Sequence, residues 1–268
     1  MTNIYKKCHK NNNFLASYNS KSSFKISLSK LDNLTSINTE DSIVSEFPLG
    51  LIVNGKYDNT FLCSPFNLKE LVVGYLCSRN LINNKNDILS LNIDEETRLA
   101  KVEIKEVSLY DCEDLIYLND YDFVEAPPIK NDSVTIQASE IYKTMDLNLD
   151  LSQLFKNTAG AHCISIYGNG EIVVSCEDVA RHNAMDKSIG YCLLNDIPLN
   201  DKIVFVSGRL SFEMIKKAAR VKIPIVIAKS ATTSLVLETA NKLNITLVGF
   251  VRGKKMNIYT NPHRIILE

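Results

Sequence analysis

The chain carries almost no net charge. Thirty Lys and Arg stand against 31 Asp and Glu, a formal balance of −1, so no global field draws in nucleic acid or an acidic membrane. Any anion site must come from a local cluster of Lys and Arg. A long hydrophobic run is also missing, since no stretch approaches the roughly 18 apolar residues of a membrane span. Residues 1–20 are polar and lack the apolar h-region of a signal peptide. C-x-x-C pairs are absent too. The seven cysteines (Cys8, Cys63, Cys77, Cys112, Cys163, Cys176 and Cys192) are odd in number and scattered, a pattern that suits a reducing compartment. Together these absences describe a soluble, cytoplasmic protein with no nucleic-acid or membrane partner. Its 268 residues, 45% of them hydrophobic, suffice for one large domain or two modest ones without disulfide staples.

Several chemical motifs are missing as well. There is no G-x-G-x-x-G, no G-x-x-x-x-G-K-[ST] and no G-x-S-x-G, which removes the main support for nicotinamide, P-loop and α/β-hydrolase chemistry. Neither His162 nor His182 begins the H-x-E of a zinc deaminase. No metal site is expected.

What is present divides the chain into three parts. Residues 1–41 are rich in Asn, Ser and Lys, with one alternating patch (Phe24, Ile26, Leu28) that reads as an edge strand. Residues 42–132 read as a small α+β domain. An apolar run from Leu49 to Val53 turns at Asn54-Gly55 towards Phe61 and Leu62 as a type I′ hairpin. Ser64-Pro65 then reads as the start of a helix through Leu68, Leu71, Val72 and Leu76. A second hairpin alternates through Leu89, Leu91 and Ile93, then Ala100, Val102 and Ile104. From Glu106 to Asp132 periodicity fails and acidic residues accumulate, which marks a linker.

Residues 133–268 read as an α/β domain. Gly168-Asn169-Gly170 supplies the turn of a hairpin, and helical patterns then alternate with apolar strands at Ile203 to Val206, Ile225 to Ala228 and Ile245 to Phe250. Such alternation means parallel βαβ units. Ligands in these sheets bind beyond the carboxyl ends of the strands. Two strand-to-helix turns stand out there: Ser207-Gly208-Arg209-Leu210-Ser211, and the Lys229 to Ser234 segment with Ser230 and Thr232. Free N–H groups at a helix start favour a phosphate, with Arg209 or Lys229 beside it; simple helix capping by the hydroxyls is the alternative. A third candidate is the cationic stretch Phe250-Val251-Arg252-Gly253-Lys254-Lys255, where Gly253 permits close backbone approach. The fourth is Glu177 to Lys187, where Asp178, Arg181 and His182 gather at a strand-to-helix turn and His162 could join them.

Taken in order, these segments resemble the FdhD family of formate dehydrogenase accessory proteins. The motifs are TAGAH (Thr158 to His162), EDVARHNAMDK (Glu177 to Lys187), SGRLSFEMIKKAAR (Ser207 to Arg220), SATTSLVLETA (Ser230 to Ala240) and LVGFVRGKKMNIYT (Leu247 to Thr260), with VSEFPLGLIVNG and SPFNLKELVVGYL in the first half. The resemblance spans the chain from about Ser42. It implies a cytidine-deaminase-like, three-layer C-terminal domain beside the smaller N-terminal one. It also implies a role: taking sulfur as a persulfide from a cysteine desulfurase and passing it to the bis-molybdopterin guanine dinucleotide cofactor, with molybdenum or tungsten, before insertion into the formate dehydrogenase apoenzyme. In the family the cofactor-binding stretch corresponds to Phe250 through Lys255, and a homodimer is the assembly it suggests.

Two departures qualify the match. Ala180 replaces a glycine usual in the Glu177 motif. More consequentially, the family's Cys-Gly-x-Cys-Gly loop, which bears the persulfide, has no counterpart: Glu106 to Asp132 holds only Cys112 and no glycine. Cys112 sits among Asp111, Glu113 and Asp114, and neighbouring carboxylates disfavour a thiolate. Three readings follow: a sulfurtransferase using Cys112 or another thiol, a non-catalytic carrier of the cofactor, or a small-molecule enzyme using His182 on a nucleotide.

Overall fold

The computed structural model of the chain describes residues 22–105, 115–119 and 122–267. It opens on a hairpin, β1 (Ser23–Asp32) and β2 (Thr35–Val44), paired antiparallel along its whole length. Only one edge strand was legible here, because β2 is too rich in polar residues for its alternation to stand out.

β3 (Phe47–Val53) and β4 (Lys56–Cys63) meet at Asn54-Gly55, whose φ angles of 47° and 75° are those of a type I′ turn. Helix α1 (Leu68–Ser78) begins at Leu68 and not at Pro65, because Asn67 takes a left-handed φ of 53° immediately before it. β5 (Ile88–Asp94) and β6 (Leu99–Ile104) pair as expected, but a bulge between Ile88 and Ser90 turns Leu89 out to solvent. These strands form a sheet of order β4-β3-β6-β5. β7 (Leu115–Asn119) and β8 (Asp122–Glu125) make a further hairpin within the acidic stretch. Cys112 lies outside the described residues.

After the short β9 (Ile136–Gln137) come α2 (Ala138–Leu151) and a single-turn helix, α3 (Gln153–Thr158), which periodicity did not reveal. A six-stranded sheet follows. β10 (His162–Gly168) and β11 (Glu171–Asp178) form the hairpin around Asn169-Gly170, and α4 (Arg181–Leu194) leads on. β12 (Ile203–Val206), α5 (Phe212–Arg220), β13 (Ile225–Ala228), α6 (Ser234–Lys242) and β14 (Thr246–Arg252) form two parallel crossover units. β15 (Lys255–Thr260) returns antiparallel, and β16 (Ile265–Ile266) pairs with β9. The sheet order is β11-β10-β12-β13-β14-β15.

Alternation along the central strands builds three layers. Ile203, Phe205, Ile225 and Ile227 face α2 through Ile141 and Met145. Val204, Val206, Val226 and Ala228 face the other way and join a core that also holds Ala184, Ile189, Met214, Ala218, Val236 and Ala240 of α4, α5 and α6. That core continues without a break into Leu49, Leu51, Leu71, Val72 and Val102 of the first half. The α/β reading therefore holds, and the two halves share one hydrophobic interior. α1 and α4 are the principal contact between them, crossing at Gly74 and Gly190.

Candidate functional site

Strand direction brings the sequence candidates to one edge of the six-stranded sheet. Parallel strands β12, β13 and β14 end there at Val206, Ala228 and Arg252. β10 runs antiparallel, with Ile164 opposite Val206, so its first residue, His162, lies at the same edge. His162 pairs in turn with Asp178 at the end of β11, and Arg252 pairs with Lys255 at the start of β15. Five separate segments thus meet where a mixed sheet offers its ligand crevice.

Backbone hydrogen bonds join these loops into one platform. Ser207 donates its N–H to the Cys163 carbonyl at 3.1 Å, and its hydroxyl accepts the Cys163 N–H at 2.9 Å. The Leu210 N–H reaches the Ala231 carbonyl at 3.1 Å, and the Phe250 N–H reaches the Ser230 carbonyl at 3.2 Å. Phe250 takes a φ of 53°, unusual for a residue with a side chain, and that ring is 39% exposed. Gly249 before it is closely packed: a Cβ there would stand 3.1 Å from the Ser230 carbonyl oxygen and 3.0 Å from the Tyr259 ring.

The platform is short of internal partners. Ser211 and Thr233 occupy the N-cap positions of α5 and α6, yet neither side chain makes a capping bond. The Ser211 hydroxyl instead lies 3.5 Å from His182 Nε2. Arg181 Nε and Thr232 Oγ1 are buried without a hydrogen-bond partner. Among the described residues Arg209, Lys229, Arg252, Lys254 and Lys255 form no ion pair. Cationic groups, open helix starts and unsatisfied donors at one edge have the chemistry of a phosphate seat.

His162, Arg181 and Gly208 converge tightly. A Cβ on Gly208 would meet His162 Nδ1 at 3.1 Å and the Arg181 Cδ at 3.8 Å. Burial, with the Arg181 guanidinium second, lowers the pKa of both His162 and His182 below the ordinary 6.5. Both imidazoles are therefore neutral at pH 7 in the free protein.

Two candidates face inward. Val251 is buried in the core between α2 and the sheet, so only its backbone reaches the edge. Asp178 is fully buried and pairs with Lys187 Nζ at 2.6 Å. Its oxygens also accept the N–H groups of Ser64 (3.0 Å) and Ala180 (2.9 Å) and the Asn183 amide (3.0 Å). Lys187 also lies 4.2 Å from the Phe66 ring centroid. This carboxylate shapes the Val179 to His182 turn from behind. Lys187, Ser64 and Phe66 were missed as supporting groups; the only signal was a lysine among the small and apolar residues of α4.

The described cysteines are all buried. Burial pushes the thiols of Cys63, Cys163 and Cys192 up to about 12 and Cys77 up to about 11, and raises Cys176 as well. None of them offers an accessible thiolate.

A family model described as the FdhD/NarQ family matches residues 44–266. The chain belongs to the FdhD/NarQ family. It is similar to the sulfur carrier protein FdhD of Bacillus pumilus, 41% identical over 240 residues, covering 84% of this chain and 90% of that protein. The sulfur carrier protein FdhD of Staphylococcus haemolyticus is 37% identical over 244 residues, covering 85% and 91%. A solved structure from Desulfotalea psychrophila, provisionally described as a formate dehydrogenase accessory protein, shares the fold with a TM-score of 0.76 at 24% identity, over 91% of this chain and 99% of that one. The match spans both halves of this FdhD/NarQ chain, including every segment of the platform. No helix among its described residues is long and apolar enough to cross a membrane.

Proposed function

We propose that this protein is a sulfur carrier accessory to formate dehydrogenase, and that the platform edge holds a bis-molybdopterin guanine dinucleotide as its cargo. The observation that carries the binding half is the meeting of five segments at one sheet edge, with two uncapped helix starts and the cations Arg209, Lys229, Arg252, Lys254 and Lys255. The cofactor carries two pyrophosphates. The open N–H groups of α5 and α6, Thr232 Oγ1 and Arg181 Nε suit those oxygens, and the Phe250 to Lys255 turn with its cations borders the same edge. Neutral His162 and His182 stand beside this seat as donors to an anion or acceptors of a proton. A cysteine desulfurase would supply the sulfur, and the formate dehydrogenase apoenzyme would receive the loaded cofactor.

A second reading, a cofactor carrier without sulfur relay, is favoured by the cysteines. The five described thiols are buried with raised pKa values, and Cys8 and Cys112 lie outside the described residues. Incubation with a cysteine desulfurase and cysteine, followed by mass spectrometry, separates the two. A persulfide lost in Cys112→Ser or Cys8→Ser supports the relay; no persulfide leaves the carrier alone. Binding is measured apart from relay. At about 100-fold above its Kd, GDP, a fragment of the cofactor, raises the Tm by roughly 5–10 °C, and changing Arg252, Lys254 and Lys255 together to Ala removes the shift. No shift with GDP or with the whole cofactor would overturn the phosphate seat.

A further inference from the structure

A cavity of about 290 Å³ lies at the other end of the sheet from the platform. α5 starts beside the platform at Phe212 and runs back to Arg220, about 13 Å along its axis, towards the start of β13. There the last turns of α1, α4 and α5 surround the cavity with Cys77, Leu193 and Arg220. The three helices end alike. Asn80, Asp196 and Lys222 take left-handed φ angles of 64°, 55° and 61°, and the N–H groups that follow, on Leu81, Ile197 and Ile223, return to the carbonyls of Leu76, Cys192 and Ala218. Those carbonyls are bonded within the chain and are not what the cavity offers. Its wall is aliphatic, with Ile189, Leu193, Ile197, Leu199 and Val221, and its charged groups are Arg220 and Lys222; no carboxylate lines it. Arg220 donates from Nη2 to Asn83 Oδ1 at 2.7 Å, which fixes the guanidinium, while its Nε is buried without a hydrogen-bond partner. Among the described residues neither Arg220 nor Lys222 forms an ion pair.

We propose that this cavity is a second binding site, separate from the platform, for a small apolar monocarboxylate, its carboxylate against Arg220 and its hydrocarbon body on Ile189, Leu193, Leu199 and Val221. The lining decides the class. A cation would find no carboxylate to meet, and a neutral hydrocarbon would leave the Arg220 Nε–H buried and unsatisfied. A planar carboxylate matches the guanidinium fork, and the aliphatic wall takes an apolar body. The volume, at the small end of the roughly 300–1,000 Å³ of ligand pockets, admits a branched-chain acid and is too small for a dinucleotide. Basic residues at a helix C-terminus also answer its dipole, but that role needs no cavity and leaves Nε without a partner. The occupant touches Cys77 and Asn83 of the first half and α4 and α5 of the second, so it fastens the seam between them.

Titration of the full chain, methyl-labelled at Ile, Leu and Val, with 4-methylpentanoate tests this by NMR. The methyl signals of Ile189, Leu193, Leu199 and Val221 are expected to shift saturably, with a Kd of about 1 mM or tighter. The uncharged 4-methylpentanamide binds at least about tenfold more weakly, and Arg220→Gln loses a similar factor for the acid. Leu193→Trp fills the cavity without removing the guanidinium and abolishes the shifts, so the proposal does not hang on one variant's folding. Changing Arg252, Lys254 and Lys255 together to Ala leaves the carboxylate's Kd unchanged, which separates this site from the phosphate seat whether or not that seat binds GDP. The proposal is overturned by a wild type with no saturable shift, by an amide that binds as well as the acid, or by folded Arg220→Gln or Leu193→Trp protein that retains the wild-type Kd. Shifts that vanish in the triple variant would also overturn it, by giving the acid to the platform.

Discussion

Gly74 of α1 and Gly190 of α4 abut across the helix crossing: a Cβ on Gly74 would stand 2.9 Å from the Gly190 nitrogen, and one on Gly190 would stand 2.8 Å from the Gly74 nitrogen. A Cβ on Gly74 would lie 1.8 Å from the Asp186 carbonyl oxygen, and one on Gly190 would lie 1.9 Å from the Glu70 carbonyl oxygen. Backbone, not side chain, is the obstacle, so no rotamer change relieves it. Either Gly74→Ala or Gly190→Ala forces the helices apart at the seam between the halves. The expected cost is at least about 3 kcal/mol, the upper end of overpacking, and a fall in Tm of roughly 6–12 °C. Thermal melts of both single variants check this.

The buried pair of Asp178 and Lys187 gives a second prediction. Both side chains are fully buried, so Lys187→Met leaves an uncompensated carboxylate and costs about 3–5 kcal/mol. Adding Asp178→Asn removes that charge and recovers part of the loss. Denaturant titrations of the two single variants and the double variant measure the coupling.

Space beside His162 is limited. Gly208→Val puts carbon where the His162 ring and the Arg181 side chain already stand, with His162 Nδ1 3.1 Å from the first added atom. The loop lies at the sheet edge, so the Tm should fall by only a few degrees, while GDP affinity drops by about tenfold, or 1.4 kcal/mol. Calorimetric titration with GDP provides the readout.

The two histidines set an acid sensitivity. Their folded pKa values are depressed below 6.5, so the unfolded chain binds protons that the folded chain refuses. Stability is fully present above about pH 7 and is lost as pH falls through 6.5 towards the lower folded values. Melting curves from pH 7.5 to about pH 5.5, above the range of ordinary carboxylates, should show this decline. His162→Gln with His182→Gln should flatten it.

Thiol labelling follows from burial. In native protein at pH 8, the five described cysteines should resist alkylation, leaving at most Cys8 and Cys112 of the seven to react. In denaturant all seven react. Peptide mapping after brief exposure to iodoacetamide counts them.

Much of this architecture is written locally. The apolar runs at Ile203 to Val206 and Ile225 to Ala228 announce buried parallel strands, and Asn54-Gly55 and Asn169-Gly170 announce their turns, because short-range sterics suffice for both. The same holds for the strand-end loops that carry Gly208, Ser230 and Gly253. What pattern reading could not reach depends on distant partners. Asp178 sits in a motif rich in ligand chemistry, but its inward role is fixed by Ser64, 114 residues earlier. Asn67 displaced the helix start through a left-handed angle that Pro65 did not signal. β2 looked polar because its apolar residues, Ile37 and Ile43, make sense only once β1 is laid beside them.

The reversal of β10 and β15 within the sheet has a consequence for when the protein becomes competent. The edge draws on His162 from the first strand of the sheet and on Lys255 from the last. A nascent chain that has emerged only as far as β13 exposes the Ser207 turn without the Phe250 to Lys255 turn, and Phe250 is not yet there to bond Ser230. The edge is therefore assembled last: every loop from His162 to Lys255 must have emerged before its donors stand together.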